Sequence, residues 1–143
     1  MDWSYVAGFF DGEGNLKVNK IFTKDGLVKS YQIAIRFYNS NIDILKKIQI
    51  FIGYGAVYSN KRVSLQDIVH EFTITKKEHV KEVLQKLSEH THDKKDRIDY
   101  ILKNFDFSRN NNLSFDLNGF HKLTTRKNVE KFYVNRQLKS VIG

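Results

Sequence analysis

The chain has 143 residues, one domain's worth and long enough to bury a real core. Lys and Arg number 24 against 16 Asp and Glu, giving a net charge of +8 and a pI near 9.6, which points to a polyanionic partner, a balance that ribosomal and membrane-surface proteins share. The lack of cysteine excludes disulfides and thiolate zinc, and no leader or membrane-length apolar run is seen, so a soluble protein of the cytoplasm, nucleoid or an organelle, with no membrane partner, is expected.

Residues 3–11 are predicted to form a short apolar helix. Asn15-Leu16-Lys17-Val18-Asn19 alternates polar and apolar, as a half-buried strand does. Lys24-Asp25-Gly26 signals a hairpin. The strand after it, at about 28–38, puts Tyr31, Ile33, Ile35 and Phe37 on one face and Ser30, Gln32, Arg36 and Tyr38 on the other. Ser40 with Asp43 reads as a capping box for a helix to about Phe51, striped by Ile44, Leu45, Ile48 and Ile52, and Gly53-Tyr54-Gly55 breaks it.

Strands at about 55–60 and 66–74 flank the basic turn Lys61-Arg62. Thr75 with Glu78 is expected to cap a helix whose stripe is Val80, Val83, Leu84 and Leu87. A further helix at about 93–104 turns Ile98, Ile101, Leu102 and Phe105 inward, and Arg109-Asn110-Asn111-Asn112 forms a polar loop. Residues 116–139 read as one or two basic helices carrying Phe120, Leu123, Val129 and Phe132. The order αββαββα plus helices is an α+β fold in one domain, 1–143, with a core at about 3–105 and a C-terminal helical extension over 106–143. One face of its antiparallel sheet lies under helices and the other is open to water.

The most informative stretch is Val6-Ala7-Gly8-Phe9-Phe10-Asp11-Gly12-Glu13-Gly14. Gly8 and Gly12 share one helix face and admit close packing of another backbone. Glu13 falls where that helix ends, beside two glycines that free the chain to turn, a position from which a carboxylate can bind metal. This stretch resembles the signature of the LAGLIDADG homing endonucleases: Val6 stands at its first leucine, Ala7-Gly8 and Asp11-Gly12 follow its pattern, Phe9 and Phe10 replace aliphatics, Glu13 holds the last acidic place and Gly14 closes it.

The resemblance implies the fold just described and a site-specific, metal-dependent double-strand cut in a long, roughly palindromic DNA. One signature per chain implies a homodimer, joined through Val6, Ala7, Gly8, Phe9 and Gly12. Both Glu13 carboxylates would then meet at the two-fold axis, a repulsive arrangement unless divalent cations lie between them. Magnesium suits the all-oxygen donors, Glu13 and the Gly12 carbonyl. A lysine and an amide that organise water are expected at Lys94, with Lys95 as rival, and at Asn39, where relatives have the longer glutamine. The open sheet face would lie in the major groove, presenting Asn15, Lys17, Asn19, Ser30, Gln32, Arg36 and Tyr38, then Tyr58, Asn60, Arg62, Gln66 and His70 from the second hairpin. Lys20, Lys24, Lys61 and Arg126 are assigned to phosphates.

Blander readings stand beside these. Gly8 and Gly12 could serve packing inside the chain, Asp11 could be structural and not a ligand, Asn39 could be no more than a turn residue, and His70 could be a sheet contact and not a catalytic base. His90 and His92 face apart on a helix and make no zinc pair. Gly12-x-Gly14 follows a helix and precedes a strand, the reverse of the nucleotide-binding order. The rival functions are an RNA-splicing maturase with intron RNA as partner, a non-catalytic DNA-binding protein, and a basic ribosomal protein.

Overall fold

The computed structural model of the chain describes residues 1–61 and 68–123, the side chains of 60 and 61 excepted. The expectations placed on the Asn60 and Lys61 side chains, Arg62, Gln66, Arg126, Val129 and Phe132 fall outside the described residues. Eight elements follow one another: α1 (Trp3–Glu13), β1 (Gly14–Phe22), β2 (Val28–Asn39), α2 (Ile42–Ile52), β3 (Ala56–Lys61), β4 (Ile68–Ile74), α3 (Lys77–Ser88) and α4 (Lys95–Asn104). Backbone at 117–123 is again helical. The fold is thus α+β, with the αββαββα order and a C-terminal helical part.

The strands pair antiparallel in the order β1-β2-β4-β3. Register aligns Leu16 with Ile35, Val18 with Ile33, Phe37 with Phe72 and Ile35 with Ile74, and all of these are buried. Alternation therefore delivers one apolar sheet face to the helices, which add Val6, Ala7, Phe10, Leu45, Ile48, Val80, Val83, Leu84, Leu87, Ile98 and Ile101 to a single core. The aromatic centre of that core is Phe37, whose ring lies 5.1 Å from Phe10 and 5.6 Å from Phe72. Phe105, Phe115 and Phe120 extend it beyond α4, so the chain after residue 105 is packed on the domain as far as Phe120.

Three local expectations need correction. Helix α1 runs one turn-fraction further than residues 3–11 and includes Glu13 itself, because Gly14 N–H still bonds to Phe10. Helix α2 is capped by Asn41, whose side chain accepts from Asp43 N–H at 3.0 Å, and not by Ser40. Helix α3 starts after Lys76 without a side-chain cap, so Thr75 and Glu78 form no capping box. The predicted hairpin is present, with Gly26 at φ +83° and its N–H on the Thr23 carbonyl. Gly14 is required for a different reason. A Cβ there would lie 2.6 Å from the Phe10 carbonyl, so helix passes into strand with no room for a side chain.

Candidate functional site

Helix α1 ends against the start of β1, so Glu13 is exposed at the helix C-terminus and one residue from the sheet. Helix C-termini carry unpaired carbonyls and the negative end of the dipole. No basic residue of the helix itself lies in that last turn. Carboxylate and carbonyls together make an electronegative corner built of oxygen, which suits a hard divalent cation such as magnesium. Among the described residues no group of three or more His, Cys, Asp or Glu side chains gathers to hold a metal ion.

A second element is brought to this corner by Asp11. Its carboxylate accepts from the backbone N–H of His92 at 2.9 Å and of Lys94 at 3.2 Å, holding the start of α4 against the end of α1. In return the Lys94 ammonium donates to the Asp11 carbonyl oxygen at 2.6 Å and lies 5.5 Å from the Phe10 ring centre. Lys95 points elsewhere: its ammonium meets the Ser88 carbonyl at 3.1 Å and Asp99 at 3.1 Å. Desolvation works against the Asp99 carboxylate, yet hydrogen bonds from Ser88 and Lys95 prevail and hold it below the usual carboxylate range. Geometry thus separates two adjacent lysines that the sequence leaves as rivals.

Asn39 sits at the same end of the sheet, two residues past the Gly14–Phe37 pair. Its side-chain oxygen accepts from Asn41 N–H at 2.8 Å, an Asx turn that leads into α2. That oxygen is committed to the turn.

The exposed stripe of α1 differs from the one expected. Val6 and Ala7 are wholly buried in the chain's own core, so their side chains cannot also face a second copy, and that assignment is corrected. Gly8 and Gly12 are exposed, and a Cβ added to either would meet nothing within 4 Å. Packing against the described residues therefore does not explain these glycines. Phe9 is half-buried, its ring 6.2 Å from Phe37. Tyr5, three residues before Gly8, is exposed on the same stripe.

On the sheet face away from the helices, register places Asn15, Lys17, Asn19 and Ile21 opposite Arg36, Ala34, Gln32 and Ser30. Asn19 and Gln32 join side chains at 3.5 Å. Tyr38 and Tyr58 flank Glu71 on this face. Ser30 shares the face but is only 7% exposed, too sunken to offer much to a partner. His70 is corrected: it has the phase of Phe72 and Ile74, and its ring nitrogen meets Ser59 at 3.1 Å on the helix side. Counting outward in twos from Phe72 would have exchanged His70 for the missed Glu71 and Thr73.

A family model described as LAGLIDADG endonuclease matches residues 6–104. No curated protein matches the chain. Among solved structures it is similar to the homing endonuclease I-CvuI in complex with the I-CreI target in the presence of magnesium, at 24% identity and a TM-score of 0.60 over 71% of this chain and 63% of that one. It is similar to the homing endonuclease I-TnaI at 24% identity and a TM-score of 0.59, over 72% and 70% of the two chains. It is also similar to the meganuclease I-SmaMI bound to uncleaveable DNA, at 14% identity and a TM-score of 0.61 over 71% of this chain and 35% of that one. These likenesses establish the fold, and the chain spans about 63% of the length of I-CvuI.

Proposed function

The chain belongs to the LAGLIDADG endonuclease family, and from that premise we propose that it is a homing endonuclease that cuts both strands of a specific DNA site as a magnesium-dependent homodimer. The single observation that carries this reading is Glu13, an exposed carboxylate at the electronegative end of α1, set where the open sheet face begins. A two-fold contact along Gly8 and Gly12 would bring two such ends together, each chain supplying one acid to a shared shell. Glu13 and the Gly12 carbonyl would hold the metal, whose chemistry is to lower the pKa of bound water and to neutralise charge on the reacting phosphate.

The chain's own residues have distinct tasks. On the open sheet face Asn15, Lys17, Asn19, Gln32, Arg36, Tyr38 and Tyr58 meet base edges in the major groove, and Lys20 and Lys24 meet phosphates. Asp11 ties α4 to α1 and so presents Lys94 at the C-terminal end of α1, where its ammonium would stabilise charge or order water at the scissile phosphate. Asn39 holds the turn before α2 and orders water only through its amide NH2.

The test is cleavage. Duplex DNA spanning the uninterrupted insertion site of the coding element, incubated with the protein and magnesium, should yield one discrete double-strand cut with short 3′ overhangs, and a chelator should stop it. DNA left whole under these conditions overturns the reading. The lysines provide a finer test. Lys94→Met should lower the single-turnover cleavage rate about a hundredfold, the scale of one charge-stabilising donor. Lys95→Met should leave it within about threefold, because an exposed pair such as Lys95–Asp99 contributes under about 1 kcal/mol to stability. Equal effects of the two substitutions would remove the assignment of Lys94.

A further inference from the structure

An acid is an unexpected group on the open sheet face of a chain with net charge +8. Glu71 is nevertheless there, on β4 between Tyr38 of β2 and Tyr58 of β3. Its carboxylate lies 3.5 Å from the Arg36 Nε, with side-chain exposures of 16% for Glu71 and 23% for Arg36. The next cross-strand row is Asn15, Arg36, Thr73 and Ala56, so Arg36 stands at the middle of the sheet and not at its rim. Two atoms in this cluster, Arg36 Nε and Thr73 Oγ, are buried without a hydrogen-bond partner. The ion pair is close but not yet a hydrogen bond.

A buried donor and hydroxyl left unsatisfied cost free energy unless a partner completes them. An arginine at the rim of a basic face would reach for phosphate. One held at the centre by an acid has its charge offset and its Nε edge turned toward that acid, which leaves the fork of terminal N–H groups for a partner. That fork matches the O6 and N7 acceptors of guanine in the major groove. We infer that Arg36 and Glu71 act as one specificity-determining unit, with Glu71 as the positioning residue that aims Arg36 at a guanine in each half-site and keeps it off the phosphates. Closing of the Arg36–Glu71 contact on docking would satisfy the Nε–H. The inference rests on the DNA-directed reading of the open face, and deepens it by naming a base and the residue that selects it.

Selection of binding sites from a pool of randomised duplexes reads this directly, with no need for cleavage. The intact protein should select a guanine at one symmetric position in each half-site. Arg36→Lys and Glu71→Gln should each lower the preference at that one position by about tenfold or more, leaving other positions unchanged. Glu71→Gln should also raise affinity for unrelated DNA and steepen its fall with salt, because a freed arginine gains a phosphate contact. Thermal melting identifies a variant that fails to fold, and Arg36→Lys, which leaves Glu71 in place, provides the second route to the same position. Unchanged selection by both variants, or effects at different positions, overturns the unit alone. An intact protein that selects no sequence at all overturns both the unit and the endonuclease reading.

Discussion

Replacing Glu13 with glutamine should abolish DNA cleavage while leaving binding within about threefold. Glutamine preserves size and shape but removes the negative charge that holds a divalent cation. Among the described residues no hydrogen bond or ion pair engages the Glu13 carboxylate, and the residue is exposed at the negative end of the helix dipole, so loss of its charge should not destabilise the fold. The loss should reach about a thousandfold or more in single-turnover rate, on the order of 4 kcal/mol of transition-state stabilisation. The proposed binding contacts lie elsewhere, along the open sheet face. Relief of repulsion between two acids should also make the metal-free dimer tighter in the variant than in the parent. Quenched-flow cleavage and gel-shift titration on one duplex separate the two effects, and a variant that still cuts at near-parental rate removes Glu13 from the chemistry.

The second large effect has opposite signs in the protomer and in the dimer. Gly8→Leu should stabilise the isolated chain by about 0.5–1 kcal/mol, because glycine inside a helix is a poor helix former. Space is available, since nothing among the described residues lies within 4 Å of the new Cβ. The same side chain, present on both copies of an isologous contact, would push apart two helices that need to approach backbone to backbone. Self-association should weaken at least about a hundredfold, ~3 kcal/mol. Sedimentation and thermal melting on one preparation read both signs at once. A leucine variant that dimerises like the parent, or a parent that stays monomeric with and without DNA, defeats the two-fold site.

Most of the fold was legible because periodicity reports burial. The stripes Val80-Val83-Leu84-Leu87 and Leu45-Ile48 are buried as spaced, and Ile33, Ile35 and Phe37 alternate into the core as predicted. Caps were less legible. Ser40, Asn41 and Thr75 are all competent N-cap types, and the choice among them depends on where the preceding strand releases the chain. His70 shows the same weakness within a strand, since its face depends on phase and phase is set by the partner strand.

The site divides along similar lines. Glu13 at a helix end beside Gly14 could be named from local residues alone, because the run that terminates the helix and the acid that it exposes are neighbours in sequence. Three matters depended on long-range packing. Val6 and Ala7 turned out to belong to the core and left Gly8 and Gly12 to the surface. Lys94 and not Lys95 reaches the end of α1, through contacts that span more than 80 positions. Glu71 meets Arg36 only because β4, and not β3, lies against β2. Local chemistry is written in consecutive residues, whereas which side chain of a pair reaches a site is decided by the relative placement of elements distant in the chain.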